Sequence, residues 1–307
     1  MSEKSQLHLG VFLTVLGVAL FSTIELVSKN LYDLTVGAGL TRIDGYALVV
    51  MRFLVTGLVL TACGYPSFRA AGKRLDRHAW GIVLKNGVVG VAVSISLFHF
   101  GIDAFQNSSS AAVVFSANAL FTIILARFMN AEAWTWRKWL AVAIGMCGIS
   151  CFIFEGGKPS LQTLGAIAMM VLSAIAFAYS VCLTRREVAF FGPSLLMGLS
   201  SLVGAVLVLP VALLTAKPGF WHSCATAWAP LSYLVLVGTA LAYYLYYAGI
   251  RRVTAFLASM IFLLKPVLAC VFAGIFRHEM PSVWTGTGTV LIVGALVFTA
   301  FQPKTAK

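Results

Sequence analysis

Apolar runs of about 18 or more residues recur along nearly the whole length of this 307-residue chain. A helix needs about 20 predominantly apolar residues to cross a bilayer, so each run is a candidate transmembrane helix. Charged residues make up only 10% of the chain, whereas a soluble domain carries about 25%. The sequence therefore predicts an all-α polytopic membrane protein with no sizeable soluble domain. Ten transmembrane helices are predicted, at residues 9–32, 46–63, 79–100, 105–128, 136–154, 164–184, 193–215, 230–249, 254–276 and 282–301.

Basic residues are distributed unequally between the two sides of this predicted membrane domain. Alternate loops place 14 lysines and arginines on one side and 4 on the other. Because basic loops stay in the cytoplasm, both termini are predicted to be cytoplasmic, in a plasma membrane or bacterial inner membrane. The first apolar run lacks a cleavage site and is too long for a signal peptide, so we expect it to be retained. We attribute the net charge of +12 to the basic loops that orient the protein in the membrane. The predicted partner is therefore the lipid bilayer, and no nucleic acid is expected to bind.

Two stretches of the chain resemble each other. Residues 101–132 and 249–279 align end to end with one single-residue gap, and both begin Gly-Ile and end in Glu. The chain is therefore interpreted as two five-span halves, residues 1–155 and 156–307. Since five is odd, the second half enters the membrane from the opposite side, which gives the inverted-topology repeat typical of transporters, with a substrate site near mid-membrane. In this alignment Lys265 and Pro266 fall opposite Asn118 and Ala119.

The joint pattern of spans and short motifs resembles the drug/metabolite transporter superfamily, and within it the EamA-type ten-helix exporters. The resemblance implies a solute carrier that works by alternating access, in most members an exporter of amino acids, related metabolites or drugs. One departure is Ala119, where the family often has a proline like Pro266. The resemblance rests on residues 247–249, 255–259, Lys265, Pro266, Glu279 and Gly288 in the second half, and on Arg52, Phe53, Ala111, Ala112, Glu132 and Gly148 in the first.

Lys265 stands in the middle of an otherwise uncharged run from residue 254 to residue 276. A charge at the bilayer centre costs on the order of 3 kcal/mol, so such residues face protein or water and mark functional sites by default. Lys265 is interpreted either as an anchor for a substrate carboxylate or as half of a buried ion pair that holds helices together. Pro266 removes the amide that would bond the Phe262 carbonyl and predicts a kink in the helix.

Glu25 is the acidic residue predicted to lie deepest in the membrane, on a polar face of the first span that it shares with Ser22, Ser28 and Lys29 at helical spacing. Three functions are open for it: a pair with Lys265, a contact to a substrate ammonium, or proton binding. A local pair with Lys29 is the structural alternative. If Glu25 and Lys265 face one cavity, their opposite charges suit a zwitterion such as an amino acid.

Other polar residues within the spans are weaker candidates. Asn118 lies deep in the fourth span and Asn86 in the third, and both are candidates for the substrate site. His99 is interpreted as a proton-sensitive gate or as a structural histidine. Tyr244, from a tyrosine cluster on the eighth span, could offer its ring and hydroxyl to a cationic substrate.

Two further cations within the spans are given structural interpretations. Arg52 lies about two turns from the outer end of the second span, and we expect it to reach outward toward Asp44. Lys85 is close enough to the cytoplasmic end of the third span to reach the membrane surface.

The predicted function is secondary transport of amino acids or related small molecules, with export as the direction. No P-loop for ATP and no common hydrolase motif is present, so we expect no enzyme activity and no cofactor. The energy for transport would come from a proton or other ion gradient or from the gradient of the solute itself. Two repeats can build a complete pathway in one monomer, and an oligomer is also compatible. The alternative is a broad exporter of drugs or aromatic and cationic compounds, which needs a deep carboxylate such as Glu25.

Overall fold

The fold of the chain is helical and crosses the membrane several times. The computed structural model describes residues 3–41, 43–105, 108–129, 136–154, 161–192, 194–217, 219–250, 252–253, 261–262, 264–278, 280 and 282–300. Within these residues the regular structure is helical, without a strand, which confirms the predicted all-α class. Seven helical stretches there are long and apolar enough to cross a bilayer: Ser5–Gly37, Gly45–Ala70, Arg77–Ala104, Ser110–Met129, Leu161–Thr184, Leu195–Thr215 and Trp228–Gly249.

These stretches contain several shorter helices, because breaks and π-helical turns interrupt them. The α-helices are α1 (Glu3–Phe21), α2 (Ile24–Gly37), α3 (Gly45–Ala70), α4 (Arg77–Asn86), α5 (Ser94–Ala104), α6 (Ser108–Ser116), α7 (Asn118–Met129), α8 (Trp136–Ser150), α9 (Leu161–Phe191), α10 (Leu195–Thr215), α11 (Phe220–Thr226), α12 (Trp228–Ser232), α13 (Ala242–Ile250), α14 (Leu264–Arg277) and α15 (Val283–Ala300).

The other three predicted spans, the fifth, ninth and tenth, are not among these seven stretches. The fifth and tenth overlap α8 and α15, whose apolar parts cover Trp139–Ser150 and Val283–Ala295. The ninth overlaps α14, which has 14 residues, while residues 254–260 and 263 lie outside the described residues. The turns that carry Glu132 and Glu279 also lie outside them. The count of ten spans therefore stays a prediction.

The first predicted span is broken at mid-length. The Ser22 hydroxyl donates to the Val18 carbonyl at 2.8 Å and the Thr23 hydroxyl to the Leu20 carbonyl at 2.8 Å. Such bonds offer the backbone an alternative to the helical ladder. Apolar composition gives the length of a span and not its continuity, so the sequence reading missed this break. As a result α2 starts inside the membrane, with Glu25 in its first turn.

The fourth predicted span is broken in the same manner. Helix α6 ends at Ser116 and α7 begins at Asn118. The side-chain amide of Asn118 donates to the Phe115 carbonyl at 2.8 Å and so holds a carbonyl that the break exposes. A second broken helix therefore points its end at the interior of the protein.

The third and eighth spans each contain a π-helical segment. The first runs from Gly87 to Val93 and the second from Tyr233 to Leu241. Their last residues, Val93 and Leu241, are the same number of positions apart as Gly101 and Gly249, which the repeat alignment pairs. Wide turns of this kind are rare and occur frequently at functional sites.

The helices pack in a limited set of pairs. Helix α3 packs along α10, α6 against α14, and α8 against α15, while α1 packs on α13 and α5 on α9. Helix α2 contacts α5, α6 and α14, which brings the two broken spans together in the interior. Large apolar side chains on the outer faces of these helices remain exposed, as expected of an integral membrane protein in contact with lipid.

Candidate functional site

An ion pair between Glu25 and Lys265 lies in the interior of the helix bundle. The Lys265 Nζ is 2.5 Å from the Glu25 Oε1, and the two residues are only 2% and 1% exposed. Glu25 stands in the first turn of α2, and Lys265 lies on α14. The positive end of the α2 dipole favours the Glu25 carboxylate there, and a buried ammonium needs a partner of opposite charge, so Lys265 depends on Glu25. The structure thus brings together the two residues whose proximity the sequence left open.

Two aromatic rings complete the surroundings of the lysine. The Lys265 Nζ lies 4.6 Å from the centroid of the Phe115 ring and 5.9 Å from that of Phe98. A cation over a ring face is attracted by the ring quadrupole. Asn118, which the repeat alignment pairs with Lys265, donates to the Phe115 carbonyl. It therefore helps to hold the ring that lies next to the Lys265 ammonium. Sequence reasoning missed both phenylalanines because their spacing does not distinguish them from ordinary core residues.

The second oxygen of the Glu25 carboxylate is not satisfied. Within the described residues, the Glu25 Oε2 and the neighbouring Ser28 hydroxyl are buried and have no hydrogen-bond partner. Lys29, the predicted local partner of Glu25, instead donates its ammonium to the Phe105 carbonyl at 2.7 Å. A buried carboxylate oxygen without a donor is a group to which a ligand N–H could donate.

Arg52 is the second buried cation of the interior and is only 2% exposed. Its Nε donates to the Thr239 hydroxyl at 2.8 Å and its Nη1 to the His99 Nε2 at 2.7 Å. The expectation that Arg52 reaches toward Asp44 is wrong. The carboxylate of Asp44 instead caps α3 by accepting from the Ala47 amide at 2.8 Å, because a helix start needs an acceptor for its free N–H groups.

His99 connects Arg52 to Tyr32. A guanidinium has only donors, so the His99 Nε2 must accept and the ring is neutral with its proton on Nδ1. That Nδ1 is 3.3 Å from the Tyr32 hydroxyl, to which it donates. The hydrogen bonds therefore run in one direction, from Arg52 through His99 to Tyr32.

A cleft opens beside this chain of hydrogen bonds, on the side that the basic-loop rule assigns to the outside. Its volume is about 130 Å³, and both His99 and Tyr32 form part of its wall. The lining residues are Tyr32, Ile43, Asp44, Gly45, His99, Phe100, Asp103, Thr215 and Lys217.

The backbones of α1 and α13 are in close contact. A Cβ added at Gly17 would lie 2.8 Å from the Tyr246 backbone nitrogen, and one at Gly249 would lie 2.7 Å from the Thr14 nitrogen. Real Cβ atoms essentially never come so near, so only glycine permits this approach of the two backbones. The bundle is therefore tightly packed on the side away from the cleft.

The remaining predicted site residues lie elsewhere or serve local contacts. Asn86 donates to the Ser200 hydroxyl on α10 at 3.1 Å. Tyr244 is 41% exposed on the outer surface of the bundle, because its position on α13 faces away from the core. Ser22 is engaged with its own helix. Pro266 lies on α14, and the predicted kink involves residue 263, outside the described residues.

A metal centre is not formed by the residues that the structure describes. Within them no group of three or more His, Cys, Asp or Glu side chains is placed to hold a metal ion.

Comparison with known proteins places these features in a family. The model of the EamA-like transporter family matches residues 8–154 and again residues 164–301. A transporter from Clostridium kluyveri is 24% identical over 294 residues, covering 94% of this chain and 92% of that protein. An S-adenosylmethionine uptake transporter from Rickettsia prowazekii is 24% identical over 290 residues, covering 92% and 91%. A crystal structure with 18% identity superimposes with a TM-score of 0.67 over 97% of both chains, which shows a shared fold.

Proposed function

The chain belongs to the EamA-like transporter family, and on that premise we propose that it is a secondary transporter of amino acids or related small zwitterionic metabolites. It would move them by alternating access, in which the central site opens in turn to each side of the membrane. The observation that carries the substrate class is the buried ion pair between Glu25 and Lys265.

Separating such a pair has a high energetic cost. Breaking a buried pair leaves an uncompensated charge, at a cost of about 3–5 kcal/mol. A zwitterion can enter between Glu25 and Lys265 and offer each one an opposite charge, with its ammonium donating to the unsatisfied Glu25 Oε2. One ion pair is then exchanged for two, and no charge is left unpaired. Asn118 and Phe115 would hold the lysine side of this site.

Relatives support an amino-acid group on the substrate. Several Rickettsia proteins similar to this chain are named S-adenosylmethionine uptake transporters. S-adenosylmethionine carries an amino-acid end with one ammonium and one carboxylate. We propose export for this chain, as the family resemblance implies. Since these relatives are named for uptake, the direction is tested by measuring flux under a one-sided gradient.

We propose ten spans in two inverted repeats, residues 1–155 and 156–307. The two separate family matches, one in each half, support the division. The matching positions of the π-helical segments support it as well. The helix packing supports the division too. If each span is replaced by its counterpart in the other half, the pair of α1 and α13 becomes the pair of α9 and α5, and the pairs α3 with α10, α6 with α14 and α8 with α15 are unchanged.

The same proposal includes the setting in which the transporter works. Both termini are cytoplasmic in a bacterial inner membrane, as the basic loops suggest. No cofactor takes part, and proton or ion coupling would use Glu25 when no substrate ammonium occupies it. One monomer contains the whole pathway.

The second candidate function is export of organic cations, and the surroundings of Lys265 favour it. A lone buried lysine would repel a cationic substrate, but Glu25 neutralises Lys265. The Phe98 and Phe115 rings that face the ammonium could equally face a substrate cation. This candidate predicts that Lys265→Glu keeps or gains transport, whereas an amino-acid carrier loses it.

Counterflow exchange in proteoliposomes tests the proposal. Vesicles are loaded with one unlabelled amino acid at a time, and entry of the labelled form is measured for the wild type, Lys265→Ala and Lys265→Glu. Lys85→Ala is the matched control, because that lysine is exposed. We expect exchange in the wild type and control and its loss in both Lys265 variants. Exchange that persists in Lys265→Ala, or a wild type that exchanges no amino acid while a known carrier does, would refute the proposal.

A further inference from the structure

The buried interior contains more positive than negative charge. Arg52 and Lys265 are each 2% exposed, and the acidic residue described beside them is Glu25. Glu25 is bonded to Lys265 and interacts with Arg52 only at longer electrostatic range. Charged residues are almost never fully buried without a partner of opposite sign, yet among the described residues one cation of this cluster has no adjacent anion.

The uncompensated cation is Arg52. A guanidinium has five N–H donors, and the described residues accept from two of its nitrogens, through the neutral groups of Thr239 and His99. In the described part of the chain no carboxylate forms an ion pair with Arg52. Planar bidentate recognition of a carboxylate is the contact for which a guanidinium is best suited.

His99 links the cleft to Arg52. Tyr32 and His99 form part of the cleft wall, and His99 is 2.7 Å from the Arg52 Nη1. Asp44, Asp103 and Lys217 line the same cleft, so its side chains do not present an excess of positive charge. An anion in this region would therefore be attracted by the buried guanidinium behind His99 and not by the wall of the cleft.

We propose that Arg52, with His99 and Tyr32, forms a docking site for the carboxylate of the transported solute, reached from the cleft before the solute meets the pair of Glu25 and Lys265. This inference rests on the proposed function and goes beyond it, because it assigns a substrate contact to a residue outside the central pair. The Arg52 N–H groups that Thr239 and His99 leave free donate to the carboxylate, and the Tyr32 hydroxyl lies on its path. The substrate class becomes solutes with a free carboxylate, and their amides and esters are excluded.

Ligand-dependent thermal unfolding of the full-length protein in lipid nanodiscs tests this site without requiring transport. The probes are two matched pairs, L-alanine with alaninamide and acetate with acetamide, together with chloride. Ligands that bind the folded state raise the unfolding temperature in a concentration-dependent way. We expect each carboxylate to stabilise the wild type at a concentration at least tenfold below that of its amide, and acetate to act well below the effective concentration of chloride.

The variants locate the effect at Arg52. Arg52→Gln should lower the preference for carboxylate over amide severalfold, and Lys265 at the central pair accounts for the preference that remains. Arg69→Gln, the same substitution at an exposed arginine of the same helix, should leave the wild-type preference unchanged. If Arg52→Gln does not fold, Arg52→Lys decides, because a lysine keeps the charge and loses the bidentate geometry. The preference should then persist while the half-saturating carboxylate concentration rises severalfold.

Four results would overturn the docking site. They are equal stabilisation of the wild type by carboxylate and amide, equal stabilisation by chloride and acetate, an unchanged preference in Arg52→Gln, and an unchanged half-saturating concentration in Arg52→Lys. Carboxylate binding in a protein that exchanges no amino acid would refute the proposed function and leave the docking site in place. Exchange by Arg52→Gln with its acid-over-amide preference intact would refute the docking site alone.

Discussion

Removing one partner of the buried ion pair should destabilise the protein far more than removing both. In Glu25→Gln the Lys265 ammonium stays buried with Arg52 nearby and no carboxylate beside it, so we expect a loss of about 3–5 kcal/mol. In Lys265→Met the carboxylate of Glu25 remains within electrostatic range of Arg52, and the loss should be smaller. The double variant leaves neither charge, and replacement of a buried pair by apolar or neutral groups is often neutral. Its stability should lie within about 1 kcal/mol of the wild type.

Equilibrium unfolding of the four proteins in lipid nanodiscs, followed by tryptophan fluorescence, measures this cycle. The expected coupling energy between the two sites is about 3 kcal/mol, near the upper end for residues in contact. Losses that simply add in the double variant would refute the reasoning, because they would show that the two charges do not stabilise each other.

The same double variant separates a structural pair from a transport site. If it is as stable as the wild type and exchanges no amino acid, the pair acts in transport. If it is stable and exchanges amino acids at the wild-type rate, the pair only holds α2 to α14, and the substrate site must be sought elsewhere.

Three further pairs of substitutions test the packing and a helix cap, each by the same unfolding measurement. Tyr243→Ala should cost about 3–5 kcal/mol because its ring is buried in the core, whereas Tyr244→Ala on the exposed face should cost about 0.5 kcal/mol, and equal losses would contradict the placement of the two rings. Gly17→Ala should cost about 1–3 kcal/mol because its Cβ would meet the backbone of α13, while Gly37→Ala, with open space around it, is the tolerated control. Asp44→Ala should cost about 1 kcal/mol by removing the cap of α3, and Asp44→Asn, which can still cap, should retain most of that stability.

The candidate site was only partly predictable from the sequence. Lys265 and Glu25 could be found because a charge in an apolar run is costly and therefore conspicuous. Arg52 was equally visible and was given the wrong partner, since a position along a span does not say which neighbouring helix supplies the acceptor. Phe115 and Thr239 gave no signal, because an aromatic or hydroxyl side chain within a span is compatible with ordinary packing.

The sequence by itself determined that this chain is an all-α membrane protein of the EamA-like family with charges buried at depth. Those properties follow from residue chemistry summed over windows of about 20 residues, the thickness of the hydrocarbon core. Only the tertiary structure decided that α2 and α7 start in the middle of predicted spans, that Glu25 neutralises Lys265, and that Arg52 has no adjacent carboxylate among the described residues. The physical reason is that a contact between residues 240 positions apart depends on how whole helices pack, which the composition of neither helix contains.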